Sequence, residues 1–386
     1  DRVVHNTWNI FMALSSTARA RSLSVIAAFV SLCLAAIIAE ITIRVVAPQP
    51  TGNALAMYEP DSLRGHRLKS GFSGTLRSGE FTVPIRTNRY GFRGEEWRFD
   101  SDLKILILGD SFTFGYGVEE DGIYPVIVER SLKAEGSLVS VYNAGVPGYG
   151  TIHEYSLLTE LYEIIQPDVV ILAYTAGSDL RDNIEFLLEP EHGLEVRDGY
   201  LVKKTLPAGS RIGIKAFLQE RSHLYVLLQR TKAMLAMGET SHLVPEPCDH
   251  FLARVPCGVT ETGWIETRHL IEDMAEFCSG NGVMFWILAI PHPVQSDDGL
   301  WLDEIGNVDG SDETWNREAI QDRLASLASA IDCRFVDPLK RFQSSSNASL
   351  YFAIDRHITR NGHELIAEEL LLSIKDIIES NNYNDG

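Results

Sequence analysis

Cysteine is scarce in this chain. Five residues in 386, with no Cys-x-x-Cys pair and no His/Cys cluster at zinc-ligand spacing, leave no basis for a zinc finger or a dithiol redox site. Basic residues are also few. Thirty-four Lys and Arg stand against 53 Asp and Glu, a formal net charge of -19 that disfavours nucleic acid or an anionic lipid surface as partner. Of the cysteines, Cys33 lies in an apolar stretch, leaving Cys248, Cys257, Cys278 and Cys333 in the body. An even number is compatible with two bridges outside the cytoplasm, and four free buried thiols remain the alternative. Cys248 and Cys257, which bracket a short loop-like stretch with prolines nearby, are the first candidates for a pair.

Length allows a full α/β core with an anchor or accessory segment added. Residues 1–22 are polar and carry Arg2, Arg19 and Arg21, followed by 17 uncharged residues from Leu23 to Ala39 and renewed apolar character at Ile41, Ile43, Val45 and Val46. Glu40 and Arg44 are four apart, on one helix face, and can pair at an interface. We expect residues 1–22 to be cytoplasmic, 23–47 to be a transmembrane signal anchor, and the body to lie in the periplasm or outside the cell. A cleaved signal peptide fits less well, because the apolar run is long and no small-x-small site precedes Glu40. Residues 48–102 then read as a linker, Pro48 to Asn53, and a β-rich extension.

The main domain, residues 103–386, alternates strands and helices. Branched apolar Ile105 to Leu108 reads as a buried parallel strand that stops at Gly109, Asp110 and Ser111. A serine at that place projects above the sheet, with its own N–H at a helix start where negative charge is stabilised, as an acyl-transfer nucleophile requires. Further strands are expected at 138–143, 168–174, 283–290 and 334–336, with helices at 122–133, 152–165, 262–278 and 313–331 between and after them. Five such strands argue for a parallel sheet in three layers. An insertion, 184–260, contains a hairpin at 194–204 and an amphipathic helix at 212–237, expected to pack on the core rather than to form a lid. Near the C-terminus, Asp355 and His357 precede a helix that contains His363.

From Leu103 to the end, the Gly-Asp-Ser at 109–111 and the Asp355/His357 pair together resemble the SGNH (GDSL-like) hydrolase family. The resemblance implies a flavodoxin-like α/β/α sandwich and a serine esterase mechanism, with Ser111 as nucleophile, His357 as general base and Asp355 orienting it. The spacing here is Asp-x-His where common members have Asp-x-x-His. It further implies oxyanion donors at the Ser111 N–H, at Gly145 as the second-block glycine, and at position 178, where this chain has Ser178 in place of the family's Asn. Asn183 is the nearest amide that can stand in. Thr87 to Glu95, TNRYGFRGE, resembles the segment before the nucleophile strand in membrane-anchored members and is read as a structural turn. His363 matches a packing position, and His292, at a strand end, is a candidate pocket residue.

No cofactor and no metal are called for. Three functions are open, two from the resemblance and the third from Ser178, the apolar anchor and the long insertion. The first is an extracytoplasmic esterase anchored through residues 23–47, acting on short acyl esters such as an acylated glycan. A glycan O-acyltransferase with the same triad is the second. The third is a catalytically weak structural subunit of a membrane complex.

Overall fold

The computed structural model describes residues 2–46, 57–188, 194–197, 200–203, 218, 222–228, 231, 247–306, 314–345 and 349–384. The expected linker at 48–53 and most of the expected helix at 212–237 lie outside these residues. Two units are formed, Asp1–Thr51 with Ile212–Met237, and Gly52–Arg211 with Gly238–Gly386. The insertion is therefore divided. Its 212–237 part groups with the N-terminal segment, not with the core as expected.

In the first unit, α1 (Arg2–Val46) is one continuous helix, so the polar N-terminal residues are helical too. Its Leu23–Val46 stretch, 24 residues, is long and apolar enough to cross a membrane, and its apolar side chains are exposed. The apolar run ends at Glu40, whose carboxylate accepts the N–H groups of His223 and Leu224 and the Ser222 hydroxyl, each at 2.9 Å. Residues 223–228 are helical, and the first N–H groups of a helix have no partner within it. Glu40 supplies that partner, while Arg44 Nε donates to it at 2.7 Å.

The second unit begins with two antiparallel hairpins, β1 (Tyr58–Asp61) with β2 (Gly65–Leu68) and β3 (Ser73–Arg77) with β4 (Thr82–Arg86). A five-stranded parallel sheet follows: β5 (Leu103–Gly109), β6 (Val139–Gly145), β7 (Val169–Thr175), β10 (Met284–Ile290) and β11 (Arg334–Val336). A separate hairpin pairs β8 (Leu194–Arg197) with β9 (Tyr200–Lys203). The sheet order is β11-β10-β7-β5-β6. The strand that comes first in sequence, β5, thus sits inside the sheet, and the order reverses between β5 and β7, which opens a crevice at their carboxyl ends.

Alternation along β5 explains the layers. Ile105 and Ile107 face one core with Val128 and Leu132 of α3 (Tyr124–Ala134), whereas Leu106 and Leu108 face the other with Leu157 and Leu161 of α4 (Thr151–Ile165). Every residue of β6 and β7 is buried, which accounts for the apolar run Val169–Ala173 in β7; β6 buries two polar side chains as well, Ser140 and Asn143. The hairpin residues Leu76, Val83 and Ile85 join the second of these cores. The N-terminal extension is thereby part of the folded body.

A disulfide joins Cys248 and Cys257, with Cα atoms 5.2 Å apart. Cys278 and Cys333 are free, so the body holds one bridge, not two.

One feature of the core opposes stability. Glu154, in the first turn of α4, is fully buried with no partner for either carboxyl oxygen among the described residues. Burial, then the neighbouring Asp110 charge, pushes its pKa well above the ordinary value of 4.5. The folded protein accordingly holds this proton more tightly than the unfolded chain, and stability is lost as pH rises above the unfolded value. Glu154→Gln should gain in stability on the wild type from about pH 4.5 upward, be the more stable of the two at pH 8, and match it at pH 3. Urea unfolding at the three pH values checks this.

Candidate active site

The site is built at the end of β5. Ser111 is the first residue of the short helix α2 (Ser111–Phe114), capped by Asp110, whose carboxylate accepts the Phe112 N–H at 2.8 Å. The same carboxylate accepts the Thr175 hydroxyl at 3.0 Å and the Ser178 hydroxyl at 2.9 Å, tying the nucleophile turn to the end of β7. Burial raises the Asp110 pKa, and these bonds oppose the rise. The other end of α2 is held by Arg93, a buried guanidinium that donates to the carbonyls of Phe114 (3.0 Å), Gly115 (2.5 Å) and Val118 (2.5 Å). Burial lowers its pKa to about 10. The TNRYGFRGE segment thus supports the loop after the nucleophile.

His357 Nε2 lies 2.7 Å from Ser111 Oγ, and His357 Nδ1 lies 2.5 Å from Asp355 Oδ1. The only tautomer that satisfies this chain puts the proton on Nδ1 and leaves Nε2 to accept from the serine. Arg356, between the acid and the base, has φ 71°, an uncommon value for a non-glycine residue. That left-handed turn lets side chains two apart face each other. It explains how an Asp-x-His spacing suffices here. The rings of Tyr116 and Phe112 flank the imidazole at 4.7 and 5.0 Å.

Ser111, Asp355 and His357 open onto a cavity of about 720 Å³ at the crevice, which Gly148, Ser178 and His292 also line. His292 is neutral, held down to about pH 4 by burial. His363 is buried away from the cavity, where its Nδ1 accepts the Tyr124 N–H at 3.3 Å and its ring stacks on Tyr124. Among the described residues, no group of three or more His, Cys, Asp or Glu is arranged to hold a metal ion.

Two expected oxyanion residues are placed otherwise. The Gly145 N–H is donated to Asn143 Oδ1 at 2.9 Å. A glycine is required there for packing, because a Cβ would stand 2.3 Å from the Phe114 nitrogen of the nucleophile helix. A glycine that does line the cavity is Gly148, three residues further on, with φ +82° and no acceptor for its N–H among the described residues; Gly177 lines it as well. Ser178 lines the cavity too, but its single hydroxyl proton goes to Asp110. Nor does Asn183 reach the cavity: its amide donates to Thr267 Oγ1 at 2.9 Å, and its carbonyl accepts the Ile152 N–H at 3.1 Å. The side-chain donor of the family pattern has no substitute among these residues.

No family model matches this chain. A curated arylesterase from Vibrio mimicus is 31% identical over 78 residues, which is 20% of this chain and 39% of that relative. Among solved structures, the esterase EstA from Pseudoalteromonas sp. is similar at a TM-score of 0.41 with 13% identity, over 72% of this chain and 100% of its own. The lipase/acylhydrolase from Enterococcus faecalis gives a TM-score of 0.39 and 16% identity over 71% and 96% of the two chains.

Because the Ser178 hydroxyl is spent on Asp110, Ser178→Ala should change ester turnover less than about threefold while costing about 1 kcal/mol of stability. A direct oxyanion donor would instead cost about 10²–10³ in kcat. Steady-state kinetics beside urea unfolding separate the two.

Proposed function

We propose that this chain is a serine ester hydrolase of the SGNH type, retained on the membrane by Leu23–Val46. The observation that carries the reading is the unbroken hydrogen-bond chain from Ser111 through His357 to Asp355, set at the point where the strand order reverses. The alcohol of Ser111 attacks an ester carbonyl as His357 Nε2 takes its proton, and Asp355 steadies the imidazolium that forms. The N–H groups of Ser111 and Gly148 receive the oxyanion. His357 then returns the proton to the leaving alcohol, and water repeats the sequence to free the acid.

With two backbone donors, and with neither the Ser178 hydroxyl nor the Asn183 amide free for the oxyanion, the enzyme is expected to be slow for its class. A cavity of about 720 Å³ suits a short acyl ester on a moderately sized alcohol. The weak arylesterase match points the same way as the geometry.

Retention of the apolar helix is favoured over removal as a leader by the Glu40 clasp. The start of the 223–228 helix is built on a carboxylate at the end of the apolar run. The Cys248–Cys257 bridge agrees with a body on the oxidising side of that membrane.

Hydrolysis of p-nitrophenyl acetate and butyrate by the detergent-solubilised full chain tests the reading. Turnover is expected to fall at least about 10³-fold in Ser111→Ala. Equal rates from the two proteins would contradict the assignment. Intact-mass measurement on protein from the membrane fraction should find residues 23–46 retained.

A further inference from the structure

The catalytic acid sits on a loop with little support of its own. Between Phe352 and His357 the chain forms turns without helix or strand, and Ile354 is 81% exposed. Two backbone bonds close the loop on itself, Phe352 N–H to the His357 carbonyl at 2.9 Å and Arg356 N–H to the Phe352 carbonyl at 3.2 Å. The N–H groups of Ile354 and Asp355 point the other way. Both are accepted by the carboxylate of Glu80, at the tip of the β3–β4 hairpin. Ile354 N is 3.1 and 3.0 Å from its two oxygens, and Asp355 N is 2.7 Å from Oε2.

Glu80 itself is fixed. Its N–H is donated to Ser78 Oγ at 3.1 Å, and the Ser78 N–H to the Phe81 carbonyl at 2.9 Å closes the hairpin. No Lys or Arg forms an ion pair with it among the described residues, so its charge is directed at the two amides. Its neighbour Phe81 packs edge-on against Tyr116, with ring centroids 5.8 Å apart, and against Phe352 at 5.0 Å. Tyr116 in turn flanks His357. One hairpin tip thus reaches the backbone of the catalytic acid through a carboxylate and the ring beside the catalytic base through an aromatic contact.

We propose that Glu80 is a positioning residue for the triad, fixing the Asp355 backbone so that its carboxylate meets His357 Nδ1. The proposal rests on the hydrolase reading for its kinetic part and on the loop geometry alone for the rest. Ionised acceptors bind N–H groups more strongly than neutral ones, and a carboxylate held by two adjacent amides resists rotation of the segment that carries them. Without it, both amides turn to water, and the loop is free to carry Asp355 out of line with the imidazole. Small misplacements of that kind lower turnover by large factors. Substrate binding, which Glu80 does not touch, is left alone. The β-rich extension is on this account part of the catalytic apparatus, although 274 residues separate Glu80 from Ile354.

Three variants of the full chain, Glu80→Ala, Glu80→Gln and Glu80→Asp, test this with two readouts. In kinetics, Glu80→Ala should lose about 10- to 100-fold in kcat with KM within about threefold. Glu80→Gln, which keeps one oxygen at the same reach, should recover most of that loss, and the shorter Glu80→Asp should resemble Ala. In hydrogen exchange, the amides of Ile354 and Asp355 should lose at least about tenfold protection in Ala and regain it in Gln. Unchanged protection in Glu80→Ala would overturn the clasp, whatever the activity of the protein. Lost protection with unchanged kcat would overturn the positioning role. Should the wild type turn over esters no faster than Ser111→Ala, the hydrolase reading falls, and with it the kinetic role; exchange still decides whether Glu80 holds the loop.

Discussion

A buried carboxylate holds this site together. Asp110 follows the central strand, caps the helix that begins with Ser111, and accepts hydroxyl groups from Thr175 at the end of β7 and from Ser178 at the start of the next helix. Three partners on three elements fix the position of Ser111 relative to the crevice, and three donors offset the cost of burying the charge. That arrangement has a consequence at Ser178. A hydroxyl with one proton cannot serve Asp110 and a substrate oxyanion together, and here the structural partner has it. In this chain the support of the nucleophile and the stabilisation of the oxyanion compete for one group.

The proposed base, His357, comes from far away in sequence, and its geometry depends on loops more than on the sheet. Arg356 turns the chain so that Asp355 and His357 face each other, the Tyr116 and Phe112 rings flank the imidazole, and the β3–β4 hairpin lies against the loop from outside. The sheet sets where Ser111 stands. Side chains from the N-terminal extension bond to its surroundings, Arg93 to the Phe114 carbonyl and Glu80 to the Asp355 N–H.

The α/β class and the five strands were legible because parallel strands buried on two faces leave long branched apolar runs, as at Ile105–Leu108. The Gly-Asp-Ser turn and the Asp355/His357 pair were legible because their residue types are constrained by the chemistry. What pattern reading missed depends on contacts that no local spacing encodes. Gly145 was matched to the second-block glycine of the resemblance, but it is the last residue of β6 and is filled by packing against the Ser111–Phe114 helix, and the chain reaches the cavity only after Val146 and Pro147, at Gly148. Glu80 carries no motif at all; its role exists only where two distant loops meet. The 212–237 stretch was assigned to the core from its amphipathic spacing, a pattern that shows a helix has an apolar face without showing what covers it.

The central claim is that His357 activates Ser111. A fluorophosphonate probe, with the labelled residue located by mass spectrometry and the labelling rate measured in wild type and His357→Ala, tests it without a natural substrate. The account predicts one adduct, on Ser111, forming at least about 10³-fold more slowly in the variant. An adduct on another residue, or equal rates in the two proteins, would contradict it.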